Sequence, residues 1–254
     1  MSAQRALGKR RRELQVAVML LTRLPAGRLS GDAPALREAR WAFPLVGALV
    51  GLIGWAVFAG ALAAGGSGLL AALLCLTITV LVTGALHFDG LADFADGIGG
   101  GRDRAHTLEI MRDSRIGSYG VMALILASGL WTAALADLEE TAGPLLFMVI
   151  GALSRGAMSA LQESLPPARA DGMGHLAAGR RRAGQVALLV AVLLSVLLAG
   201  LAGLAVVAVC AVVALALGTI ARRKLGGVTG DVLGAAQLLS EVAAWVLLAV
   251  LLPG

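Results

Sequence analysis

QVALLVAVLLSVLLAGLAGLAVVAVCAVVALALGTIA, residues 185–221, runs without a single charge. A helix crosses the hydrocarbon of a bilayer in about 20 residues. The stretch is therefore too long for one crossing and right for two, hinged near LAGLAG at 198–203. The whole chain agrees with that reading: 58% of its 254 residues are apolar and only 15% charged, where a soluble domain carries about 25%. So much apolar content excludes disorder. The 34 glycines have no period of three, which excludes a collagen-like chain; closely packed membrane helices use such small residues at their contacts. Cys75 and Cys210 both lie inside apolar runs, so neither a disulfide framework nor a zinc site is indicated.

Apolar segments at 42–64, 69–86, 118–136, 144–160, 185–200, 201–221 and 232–252 predict an all-α, polytopic transmembrane bundle of about seven spans. Residues 14–21 (LQVAVMLL) follow a basic start but are cut short by Thr22-Arg23-Leu24-Pro25 with no convincing cleavage site, and read as an interfacial helix. Phe43-Pro44 reads as the start of the first span. The net charge of +5 invites a nucleic-acid reading, but the distribution argues for a membrane. Of the 21 Lys and Arg, nine precede residue 42, four lie in 87–117, four in 161–183 and three at 222–224. The last, Arg155, sits inside a span, and the connections GGSG (65–68) and DLEETAG (137–143) have none. Seven spans with a cytoplasmic N-terminus put every basic loop on the cytoplasmic side. The chain thus reads as one integral-membrane domain, 1–254, with 1–41 a cytoplasmic or interfacial segment.

The sequence most informative about chemistry is His87-Phe88-Asp89-Gly90-Leu91-Ala92-Asp93-Phe94-Ala95-Asp96-Gly97. On a helix, Asp89, Asp93 and Asp96 fall on one stripe. Like charges in register do not favour a helix, whereas hard divalent cations use such oxygens, Mg2+ taking one or two carboxylates plus substrate phosphates. Asp103, Glu109 and Asp113 follow in the same loop, with Arg102, Arg104, Arg112 and Arg115. Arginine suits bidentate phosphate contact, so acids holding a metal beside arginines describe a site for phosphoryl transfer. The plainer alternative is a solvated acidic loop paired with its own arginines. His87 is either a ligand or base, or a hydrogen-bonded structural residue at a span end.

Arg155, an intramembrane charge, calls for a partner: an aspartate of the cluster or a substrate phosphate. A snorkelling arginine near the cytoplasmic end of its span is the alternative. Glu241 reads as paired within the bundle. Gly226-Gly227-Val228-Thr229-Gly230-Asp231 reads either as backbone approaching an anion, with Asp231 adding a metal or hydroxyl contact, or as a helix stop followed by an Asp cap. Residues 161–183, with Pro166-Pro167 and Arg180-Arg181-Arg182, read as a mobile cytoplasmic loop.

HFDGLADFADG at 87–97, LEIMRDSRIGSYG at 108–120, TRLP at 22–25, FPLVG at 43–47 and GGVTGD at 226–231 resemble, in order, the cobalamin synthase family, the adenosylcobinamide-GDP ribazoletransferases. The similarity runs from about residue 14 to 245. The resemblance implies a Mg2+-dependent enzyme of the bacterial inner membrane, its active site facing the cytoplasm. It joins adenosylcobinamide-GDP to α-ribazole or its 5′-phosphate, releasing GMP. Asp89, Asp93 and Asp96 are then metal ligands, with Asp93, Asp96 and Asp113 catalytic and Asp113 a fourth ligand or the base. Arg23, Arg102, Arg112, Arg115, Arg155 and Asp231 are expected to bind substrate. Asp93-Phe94-Ala95-Asp96-Gly97 also matches the DxxDG opening of CDP-alcohol phosphotransferases, whose longer pattern is not reproduced here; phospholipid synthesis is the alternative activity. A transporter would need charges spread through mid-membrane helices, whereas these acids cluster at one edge. Partners are the two substrates and the bilayer, not nucleic acid; a homo-oligomer is compatible with the sequence but not specified by it.

Overall fold

The computed structural model describes residues 3–29, 31–172 and 182–252. Its helices are α1 (Ala3–Leu21), α2 (Leu36–Ala39), α3 (Phe43–Ala63), α4 (Gly68–Thr83), α5 (Leu86–Gly100), α6 (Arg104–Ile110), α7 (Ser118–Ala136), α8 (Pro144–Ser164), α9 (Arg182–Leu225) and α10 (Gly230–Leu251). No β-strand occurs among the described residues, only an isolated bridge between Pro167 and Val228. Arg180 and Arg181 lie outside the described residues.

Local sequence sets the helix ends. Pro44 and Pro144 occupy first turns, where a missing N–H costs nothing. Ser67 caps α4 by accepting from the Leu70 amide at 3.3 Å. At the other end Gly84 (φ 61°) and Ala85 (φ 57°) are both left-handed, and these two residues turn the chain through 90° into α5. The hinge expected at 198–203 falls at Gly200, whose φ of 53° and ψ of −128° break α9; side chains rarely adopt that conformation.

Five helical stretches among the described residues are long and apolar enough to cross a membrane: Leu36–Ala63, Ser118–Ala136, Pro144–Ser164, Gly200–Leu225 and Gly230–Leu251. The bent pair α4–α5 makes a sixth if taken together. We read α4 as its crossing part and α5, with its three aspartates, as an arm turned away from the span. The count expected from the sequence, about seven, thus stands beside five or six such stretches among the described residues. The break at Gly200 leaves 182–199 as a separate helical arm, opening on Arg182, that is not among these stretches.

Helix contacts follow the small-residue logic of membranes. A Cβ on Gly47 would overlap the Gly151 carbonyl, one on Gly151 the Gly47 carbonyl, and one on Gly51 the Phe147 carbonyl, so α3 and α8 cross backbone to backbone. Helix α10 is the hub, 72% of its apolar window being buried against 22% for Gly200–Leu225. Trp245 on α10 packs edge-on against Phe147 of α8 at 4.7 Å and Trp131 of α7 at 6.3 Å between ring centroids. Four residues earlier on α10, Glu241 accepts from Arg155 of α8 at 3.0 Å. Gln237 donates to both Glu241 and Ser154, and Arg155 donates to Ser154 at 3.1 Å. The partner of Arg155 is therefore Glu241, not an aspartate of the acidic segment. With its side chain 1% exposed, Arg155 joins two helices where an unpaired charge would be costly.

Gly151→Val should separate α3 from α8 at this crossing. Overpacking typically costs about 1–3 kcal/mol, so the detergent-solubilised protein should melt measurably lower. Gly60→Val, where a Cβ meets nothing within 4 Å, should melt as the parent does.

Candidate active site

The site forms where α5 lies on the first turns of α10. A Cβ on Gly90 would sit 3.1 Å from the Gly234 Cα and 3.3 Å from the Asp231 Cα, so the two backbones are in direct contact. That approach brings Asp231 to the acidic stripe of α5. Asp89 and Asp231 line one cavity of about 250 Å³. Asp93 faces Asp89, Asp231 and Asp96; burial first, then these carboxylates, pushes its pKa up to about 7, with Arg169 opposing.

Asp96, the third residue of the stripe, has a different task. Its two oxygens accept from the amides of Gly117 (2.7 Å) and Gly120 (2.9 Å). A carboxylate at the start of α7 is favoured there by the unpaired N–H groups and the helix dipole. A Cβ on Gly117 or Gly120 would overlap the Asp96 carboxylate, which explains both glycines of IGSYG. Asp89 and Asp93 thus meet Asp231, while Asp96, still beside Asp93, also ties the 111–117 segment to the acidic helix.

The glycine-rich turn settles which reading of 226–231 the backbone supports. Gly226 (φ 73°) ends α9, and Thr229, not Asp231, caps α10, accepting from the Val232 amide at 3.3 Å. Asp231 is left facing the cavity, its carboxylate taking the Thr229 hydroxyl at 3.1 Å. Pro166–Ala168 pairs with Val228 through Val228 N–H to Pro166 O (2.9 Å) and Ala168 N–H to Val228 O (2.8 Å). The start of the loop expected to be mobile is therefore tied down, and the pairing sets Arg169 3.8 Å from Asp231. Arg104 reinforces it, donating to Leu225 O (2.7 Å) and Ala168 O (2.9 Å). Arg169 was not legible as a site residue: in the sequence it is one of several loop arginines, and only this pairing places it.

The remaining expected residues are distributed as follows. Arg115 holds Asp113 through three contacts of 2.6–3.0 Å, its side chain 87% exposed. Those hydrogen bonds depress the Asp113 pKa to about 2. Both its oxygens are taken up by Arg115 rather than by the acidic cluster. Arg112 Nη2 donates to both carboxylate oxygens of Asp171, at 2.7 and 2.8 Å. Arg102 is exposed beyond the end of α5. The Arg23 amide donates to Val82 O at 2.7 Å and its side chain lies over Gly84, docking the TRLP segment on the α4–α5 bend.

The carboxylates around Asp93 repel one another, with Arg169 opposing. Among the described residues, no three carboxylate, imidazole or thiol groups make a ready-made metal shell. Asp89, Asp93 and Asp231 are hard oxygen donors of the kind Mg2+ takes one or two at a time beside substrate phosphates.

Fold and site together define a polytopic membrane protein with an acidic, arginine-edged site at one end of its helix bundle. Residues 13–249 match the cobalamin-5-phosphate synthase family, and the chain belongs to it. Similar proteins include adenosylcobinamide-GDP ribazoletransferases of Bradyrhizobium diazoefficiens, 43% identical over 91% of this chain and 90% of the relative, and of Azorhizobium caulinodans, 46% identical over 87% and 88%. That of Sinorhizobium medicae is 45% identical over 89% and 92%. No solved structure matches.

Asp96→Ala and Asp93→Asn should behave oppositely in unfolding experiments. The first strips two amides of a charged acceptor, a loss of about 1.5–3 kcal/mol, and should lower the melting temperature. The second relieves repulsion. Because the folded-state pKa of Asp93 is raised to about 7, its stabilising contribution is full below about pH 4 and lost as pH rises through 7. Metal-free protein should lose melting temperature over that window, and Asp93→Asn should lose less.

Proposed function

We propose that the chain transfers the cobinamide phosphate of adenosylcobinamide-GDP to α-ribazole or its 5′-phosphate, releasing GMP, at the cytoplasmic face of the bacterial inner membrane. The observation that carries this is the meeting of Asp89 and Asp93 with Asp231 across the α5–α10 contact, in a chain of this family. A ribazole ribose hydroxyl attacks the phosphorus on the cobinamide side of the diphosphate. The new phosphorus–oxygen bond forms as the bond to GMP breaks, and GMP leaves as an anion.

Asp89, Asp93 and Asp231 are the residues that would hold Mg2+, one or two at a time. When bound, the cation neutralises charge on the phosphates. One carboxylate of this group takes the proton of the attacking hydroxyl. Arg115, on the segment that Asp96 ties to α5, is exposed enough to take the donor's diphosphate on the edge of its guanidinium that Asp113 does not hold. Its planar fork matches phosphate in a way an ammonium does not. Asp113 presents that fork and acts through it.

Transfer by purified, reconstituted protein tests the reading, with adenosylcobinamide-GDP and a CDP-alcohol offered as alternative donors. Transfer from the first donor alone is expected; transfer only from the CDP-alcohol would overturn it. Asp93→Asn should lower turnover about 10³-fold or more at limiting Mg2+ while the protein stays folded. Arg115→Lys should raise the donor KM with little change in the Mg2+ requirement. Asp113→Asn should likewise act on the donor KM rather than on turnover at saturating donor.

The basic-loop distribution supports the orientation. Single cysteines at Ser67 and Thr141 should react with impermeant reagents in intact cells, and one at Gly101 only after the membrane is opened. Labelling at Gly101 from outside would reverse the topology.

A further inference from the structure

The 250 Å³ cavity beside the acids has a composition of its own. Leu21 of α1, Phe43 of α3 and Met158 of α8 supply apolar wall, and Asp89 and Asp231 stand on one side of it. Two further polar residues face it, His87 (2% exposed) and Gln162 (4% exposed). His87 Nε2 and Gln162 Oε1 are both buried without a hydrogen-bond partner in the protein. Unsatisfied buried polar atoms are costly, about 1–3 kcal/mol each. Both side chains belong to the wall of the same cavity, so a ligand seated there lies beside both.

We propose that this cavity is the subsite for the acceptor nucleoside, with the benzimidazole of a ribazole against Leu21, Phe43 and Met158 and its ribose toward Asp89 and Asp231. The proposal rests on the function inferred above and assigns a place to one of its two substrates. His87 Nε2–H donates to the free ring nitrogen of the base, and Gln162 Oε1 accepts from a sugar hydroxyl.

Three alternatives fit less well. A corrin ring with its side chains is several times larger than the cavity. Guanine presents several donors and acceptors along its edges and would leave most of them unpaired against the apolar wall. A diphosphate would find no arginine or lysine in the wall. A benzimidazole nucleoside has an apolar bicycle, one ring acceptor and donor hydroxyls, which is what the wall, the two unpartnered atoms and the carboxylates can serve. The same placement sets a ribose hydroxyl beside the acids that receive its proton.

The test uses the full chain reconstituted in lipid nanodiscs. Steady-state transfer is measured against both substrates, and α-ribazole binding by equilibrium dialysis without donor. Gln162→Leu removes an unpartnered oxygen at constant size, so folding is preserved. It should raise the acceptor KM about tenfold, the worth of about 1.4 kcal/mol, with the donor KM unchanged. Met158→Trp should fill the cavity and abolish α-ribazole binding at an unaltered melting temperature; if it fails to fold, Gln162→Leu decides. A raised donor KM with an unchanged acceptor KM in Gln162→Leu, or α-ribazole binding indifferent to both substitutions, would overturn the subsite. Absence of transfer by the parent chain would instead overturn the functional reading.

Discussion

Helices α5 and α10 touch at Gly90 and Gly234 with no side chain between them, and the site depends on that contact. One helix carries Asp89 and Asp93, the other Asp231, and only backbone-to-backbone approach lets carboxylates from both face a shared space. The repulsion this creates is what a cation and a phosphorylated substrate would relieve. Folding thus places charge where isolated helices would not hold it, in keeping with the tendency of functional sites to carry locally unfavourable arrangements.

Helix α10 can serve as that platform because it is fixed elsewhere. Arg155 and Glu241, with Gln237 and Ser154, hydrogen-bond to one another within the bundle. An arginine in hydrocarbon has few acceptable alternatives, so this cluster fixes α8 against α10. The aromatic stack of Phe147, Trp245 and Trp131 extends the attachment along α10. At the site end, Thr229 caps α10 and frees Asp231, while the pairing of 166–168 with Val228 brings Arg169 in. Asp96 attaches α7, and with it the arginine-bearing 111–117 segment, to the acidic helix.

The helical, membrane-embedded architecture was legible because hydrophobic length is a one-dimensional property, and the hinge at Gly200 because glycines interrupt an otherwise charge-free run. The 90° turn after α4 was not, since it arises from two consecutive left-handed residues, one of them the alanine Ala85. Within the site, the stripe of aspartates was legible from helical spacing, but spacing could not tell Asp96 from its neighbours. That distinction rests on amides more than twenty positions away in the chain. Arg155 was recognisable as needing a partner and not which one, because Glu241 reaches it only through tertiary packing. Arg169 and the two unpartnered atoms of His87 and Gln162 left no mark in the sequence at all.

The central claim is that α5 and α10 contribute jointly to one cation-binding site. Equilibrium binding of Mn2+ to reconstituted protein carrying Asp231→Asn tests it most directly, because that substitution leaves the whole acidic stripe of α5 intact. The account predicts Mn2+ affinity weakened by about tenfold or more, to a degree comparable with Asp93→Asn. Affinity unchanged in Asp231→Asn but lost in Asp96→Asn would contradict it and return the site to the stripe alone.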